Sequence, residues 1–179
     1  MTLTAASRRH LARVRRHLHW WTVALVVLGF SIAWVMTALP VTLLLVKFLL
    51  YQLHKSLGLL VFGLTVLRLF LVWRTGDRPR GVQAALYGLL LVVPLLGYLT
   101  AAASPTAVPT LFFLLLRVPH AIAPDKTVFD AIRPLHEWLA IGLIVLAAWH
   151  AVLKRRGVPG LGRRRVARSG DARPPAESD

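Results

Sequence analysis

The chain has 179 residues, a net charge of +15 and a mean hydropathy of +0.62, the size of one domain. Apolar residues make up 56% of it, more than a soluble globular domain carries. Cysteine is absent, which excludes disulfides, iron–sulfur clusters and thiolate chemistry and leaves histidine, carboxylate or carbonyl to hold any metal.

Residues 1–19 form a basic N-terminal segment with Arg8, Arg9, Arg13, Arg15 and Arg16 and no acid. Residues 20–39 carry no charge, and about twenty such residues cross the hydrocarbon of a bilayer as a helix. A basic stretch before an apolar one is also the layout of a signal peptide, but this run is of full spanning length and three more follow. Pro40 ends it. Residues 41–48, with Lys47, read as an interfacial lead-in to a second span over 49–73. The polar turn 74–81 contains Gly and Pro breakers. A third span covers 82–103 and includes Pro94, tolerated in a membrane helix whose neighbours re-satisfy the freed carbonyl. In the loop 104–134, the apolar run 111–116 is too short to cross and belongs at the interface. A fourth span covers 135–153, and the tail 154–179 is basic, then Pro- and acid-containing, and reads as largely disordered. The expected fold class is all-α, an integral membrane four-helix bundle whose body is 20–153.

Basic residues beside spans are retained in the cytoplasm. Sixteen of the 22 Lys and Arg lie in the N-terminal segment, the 74–81 turn and the tail. Four spans place all three on one side, so both termini are expected in the cytoplasm, and the charge reads as topology rather than as a nucleic-acid footprint. The other side carries Lys47, Lys55, Arg117, Lys126 and Arg133, while Arg68 lies within a span.

Of seven histidines, four sit at or within span ends: His19, His54, His136 and His150. His136 and His150 are fourteen residues apart on span four, ~21 Å along a helix axis, and fourteen residues are four turns of a left-handed bundle, so both face one way. Span one starts inside, which puts His19 level with His150. Span two starts outside, which puts His54 level with His136. Two depth-matched pairs from different helices suit two six-coordinate haem irons stacked across a bilayer, each taking two imidazoles. The propionate edge of such a cofactor wants cations. Arg15 and Arg16 lie beside the inner pair, and Lys55 adjoins His54. Arg68 follows His54 by fourteen residues, on the same face at the inner depth; an ionisable residue within a span is costly and usually functional.

Blander readings stand beside these. A single membrane histidine often serves as a helix–helix hydrogen bond, Lys55 reads equally as a snorkelling interface residue, and Arg68 can snorkel past Trp73. His10, His17 and His120 read as exposed non-ligands. Zinc competes as the metal, but two ligands per level do not close a tetrahedral site. Glu137 reads as a helix N-terminal acid or as a proton-release group.

The elements Leu18-His19-Trp20, His54-Lys55-Ser56-Leu57-Gly58 with Arg68 beyond, and Leu135-His136-Glu137 followed by His150 resemble the bacterial cytochrome b561 family. Tyr87, Pro94 and Gly97 fit the same pattern, as does Pro119 in the long loop. The resemblance covers about residues 14 to 156. It implies an inner-membrane four-helix bundle with two haem b groups per chain, ligated by His19, His54, His136 and His150. It also implies a quinol-linked oxidoreductase passing electrons between the quinone pool and an acceptor at the outer face, superoxide being one case in the family. The run 111–116 lacks the family's usual glycine, and the tail is richer in arginine. Partners expected are membrane lipid, quinone or quinol, and a second copy or a soluble redox protein, with no nucleic acid. Two other functions fit the same sequence: a membrane-anchor cytochrome b subunit of a larger dehydrogenase, and a haem-free scaffold whose basic tail grips anionic lipid.

Overall fold

The computed structural model describes residues 4–156. The disordered tail expected from 154 onward therefore lies almost wholly outside the described residues. Four long helices account for most of the rest: α1 Ala5–Ala38, α2 Leu44–Arg74, α3 Val82–Ala103 and α4 Lys126–Arg155. All four are long and apolar enough to cross a membrane.

Their ends follow from local chemistry. The Thr4 side chain accepts a hydrogen bond from the Ser7 N–H and caps α1, so the helix takes in most of the basic N-terminal segment rather than starting at residue 20. Leu39 is extended because Pro40 disfavours helical backbone before it. A 3₁₀ turn at Val41–Leu43 leads directly into α2, so the expected interfacial lead-in is mostly the first turn of that helix. At the other end of α2, Gly76 adopts φ 71°. The N–H of Gly76 bonds to Trp73 O and that of Asp77 to Val72 O, a Schellman closure that favours glycine.

Helix α4 starts at Lys126, nine residues before the expected boundary of 135. Asp125 is the reason: its carboxylate accepts from the N–H groups of Thr127 and Val128 at 2.8 and 3.1 Å, and Pro134 is carried inside the helix. The run 111–116 is not helical. It belongs to an antiparallel hairpin of β1 Thr110–Phe112 and β2 Leu116–Val118, with Leu111 opposite Arg117. This is the one departure from an all-helical fold among the described residues.

Helices α1 and α2, α2 and α3, and α3 and α4 pack as neighbours. Val61, Leu90 and Leu143 form the buried core, with Leu25, Val26, Leu86 and Leu89 against it. The outside is apolar, and all six tryptophans are exposed. Trp73 lies at the end of α2 and Trp34 near the end of α1, whereas Trp20 and Trp21 stand midway along α1 and Trp138 inside α4. Arg15 forms an ion pair with Asp77 and donates to the Thr75 hydroxyl at 3.1 Å. That contact ties the basic arm of α1 to the turn after α2, so these two basic segments share one end of the molecule, the basic face. The α1–α2 turn and the α3–α4 loop lie at the other end, the loop face.

Candidate metal centres

His54 on α2 and His136 on α4 approach each other at the loop-face level. Their ring centroids are 6.3 Å apart and the ring planes meet at 78°. Each ring is held by its own neighbouring helix. His54 Nδ1 lies 3.0 Å from the Gly29 carbonyl of α1, and His136 Nδ1 lies 2.9 Å from the Val93 carbonyl of α3. A carbonyl only accepts, so both Nδ1 atoms carry the proton and both Nε2 atoms keep a free lone pair. Gly97 makes room for the second ring: a Cβ there would stand 2.9 Å from His136 Cε1.

A cavity of about 440 Å³ adjoins the pair. His54, Leu57, Gly58 and Val61 form its α2 wall, Gly29 and Trp34 belong to α1, and His136, Arg133 and Glu137 to α4. A Cβ at Gly29 or Gly58 would meet nothing within 4 Å, so those surfaces stand open. Arg133 Nε donates to Glu137 at 2.9 Å, placing an ion pair at the wall one turn from His136.

The basic-face level is built differently. His19 lies within electrostatic reach of His150 and Lys154. Its Nδ1 faces the Arg68 guanidinium at 3.3 Å. Arg68 in turn lies over the Tyr87 ring, 5.1 Å from its centroid. His150 Nδ1 is buried and has no hydrogen-bond partner. No carbonyl locks either ring here as at the other level.

The flanking cations divide. Arg16 is exposed, and Arg15 beside it makes the contacts to Thr75 and Asp77. Lys55 is half-buried near His120. His120 is half-buried too, with Nε2 3.2 Å from the Thr110 hydroxyl. Partial burial, then the charges of Lys55 and Arg117, hold its imidazole below the usual histidine range.

Sequence reasoning picked out Gly97 only as part of a pattern, without its contact to His136, and missed Arg133 and the two carbonyls as parts of the site. Arg133 had a signal, since three residues before His136 is one helical turn away on the same side. Carbonyls have none, because every residue owns one. Among the described residues, no three His, Cys, Asp or Glu side chains cluster to hold a metal, so each level offers a pair of imidazoles. No protein-family model and no curated protein sequence matches this chain, and the ground for its function is the geometry of these histidines.

Proposed function

We propose that the chain is a membrane electron carrier holding two haem b groups, one between His54 and His136 and one between His19 and His150. The observation that carries this reading is the loop-face pair, with its rings 6.3 Å apart and both Nδ1 atoms committed to carbonyls. Two metal–nitrogen bonds of about 2 Å, with the half-width of each ring, come to roughly 6 Å between centroids. That spacing suits one metal ion gripped from both sides. A histidine whose other nitrogen donates to a carbonyl is fixed in the ligating tautomer and made more basic. The adjoining cavity falls in the range of cofactor sites, roughly 300–1,000 Å³, and its mostly apolar wall suits a flat hydrophobic ring system.

Haem supplies a reversible one-electron couple tuned by its axial ligands and their hydrogen bonds. The chain's residues hold and orient it. Gly29 and Val93 aim the loop-face imidazoles, and Leu57, Val61 and Leu143 exclude water. Arg133 and Lys55 would meet an anionic edge at the loop face, and Arg68, with Arg16, at the basic face. The apolar exterior suits a lipid-soluble quinol as donor, and the loop face suits an acceptor outside the membrane. With the basic face in the cytoplasm, the site of action is a bacterial plasma membrane.

The test is a count of haem. Purified chain should give two haems in a pyridine haemochrome assay and a sharp α-band when reduced. His54→Ala and His136→Ala should each remove the same single haem. A reduced spectrum with no α-band would end this reading.

A further inference from the structure

The hairpin is fastened to α2 by two buried side chains that act as a substitute strand. The Gln52 amide donates to Pro109 O at 2.9 Å, and its Oε1 accepts from Leu111 N–H at 3.0 Å. One helical turn on, the Ser56 hydroxyl accepts from Phe113 N–H at 2.8 Å and lies 3.2 Å from Leu111 O. Gln52 and Ser56 are 1% and 0% exposed. The inner edge of β1 is thereby satisfied without water, while its other edge pairs with β2. Unpaired strand edges are not tolerated in hydrocarbon, and the buried side chains meet that demand along β1, the strand that lies against α2.

The placement points the same way. Gln52 and Ser56 share one stripe of α2, while His54, two residues from each, lies roughly 200° around the helix on the cavity side. The hairpin therefore sits on the outer wall of the helical body. Helix α2 has 31 residues, about 46 Å at helical rise. A hydrocarbon slab of about 30 Å centred on it spans roughly residues 49–68. Gln52 and Ser56 fall inside the margin of that slab.

The tip is apolar and outward. Leu115 is 85% and Leu116 66% exposed, and Phe113 and Leu114 are exposed as well. Phe113 and Leu114 adopt φ 48° and 63°, the paired left-handed conformation of a tight hairpin turn, closed by the Leu115 N–H on Phe112 O at 3.0 Å. Exposed protein surface offers nothing to Leu114 and Leu115, whereas lipid does. Next to the tip, Arg117 is exposed on β2, with a stem long enough to lie along the apolar boundary and a guanidinium for a lipid phosphate.

We propose that this hairpin is a lipid-dipping wedge, with residues 113–116 entering the leaflet at the loop face beside α2 and Arg117 held at its headgroups. The partner is the bilayer itself, and the inference does not depend on haem.

The lack of cysteine in the chain makes a clean test possible. Leu115→Cys carries a nitroxide, and Thr106→Cys, in an exposed loop position, carries the same label as the water reference. Both full-length variants are placed in vesicles of phosphatidylcholine and phosphatidylglycerol. At position 115, collisions with oxygen should exceed those with a water-soluble nickel chelate several-fold, and position 106 should show the reverse. Leu116→Cys should repeat the result for 115. Nickel accessibility at 115 equal to that at 106 would overturn the wedge. So would dipolar broadening at 115 that vanishes on dilution with unlabelled protein, since it would put a second copy there instead of lipid.

Discussion

At position 97, a hydrogen atom stands where any other residue would push on a candidate ligand. The 2.9 Å between a built Cβ and His136 Cε1 is shorter than carbon atoms tolerate, so Gly97→Ala must displace the ring or part α3 from α4. Overpacking of this kind costs about 1–3 kcal/mol, so the variant should melt earlier and, if the loop-face pair holds the proposed haem, lose it or shift its potential. Gly88→Ala on the same helix, where nothing lies within 4 Å, should be neutral or stabilising, by up to about 1 kcal/mol. Equal losses from both would mean that crowding at His136 is not the cause. His120 offers a second readout. Its burial and the neighbouring Lys55 and Arg117 favour the neutral ring, so the unfolded chain takes up a proton more readily. Any stability this residue contributes is present above its ordinary value of 6.5 and is lost as pH falls below it. A ring titration by NMR should find the His120 midpoint below 6.5, moving up in Lys55→Met. A midpoint at the ordinary value would remove the effect. The approach of His54 to His136 could be read from the sequence because depth along a span is arithmetic. The contacts that orient them could not, because Gly29 and Val93 act through carbonyls and Gly97 through the absence of a side chain.

Among the elements, the apolar blocks of the four helices were legible and their ends were not. Composition marks where a helix is greasy, whereas a cap marks where it starts. Thr4 and Asp125 extend α1 and α4 well into polar sequence, and Pro134 inside α4 reads on paper as a boundary although the helix runs through it. The hairpin was hidden for another reason. Its partner strand is supplied by Gln52 and Ser56, more than fifty residues away, so no local pattern near residue 111 announces it. That dependence has a measurable consequence. Gln52→Leu keeps the volume but leaves Pro109 O and Leu111 N–H without partners, at about 1–3 kcal/mol for each buried group left unsatisfied. The Leu111 amide should then exchange its hydrogen much faster while amides in mid-α3 do not change. Unaltered protection at Leu111 would show that the hairpin holds itself. The cap can be tested alone: Asp125→Ala should cost about 1 kcal/mol, seen as a lower melting temperature with the first turn of α4 frayed.

Across the whole molecule, the two histidine levels are unequal. At the loop face both rings are already held, each by a carbonyl of its neighbouring helix. At the basic face His19 is engaged by the Arg68 guanidinium, a donor that can only face an unprotonated Nδ1, and His150 Nδ1 has no partner at all. If each pair holds a haem, the loop-face site binds without rearrangement, while the basic-face site must first turn His19 away from Arg68. Giving up one hydrogen bond costs about 1 kcal/mol, near fivefold in affinity, and preorganised sites avoid that cost. Haem added to apoprotein in sub-stoichiometric amounts should therefore fill the loop-face level first. His19→Ala should leave that first phase intact and abolish the second, whereas His54→Ala should abolish the first. Arg68→Leu releases His19 but also removes a cation from the basic-face edge, so it should change the second phase alone and leave the first unaltered. Two phases of equal affinity in the unaltered chain, or a first phase that disappears with His19, would show that the carbonyl-held pair is not the stronger site.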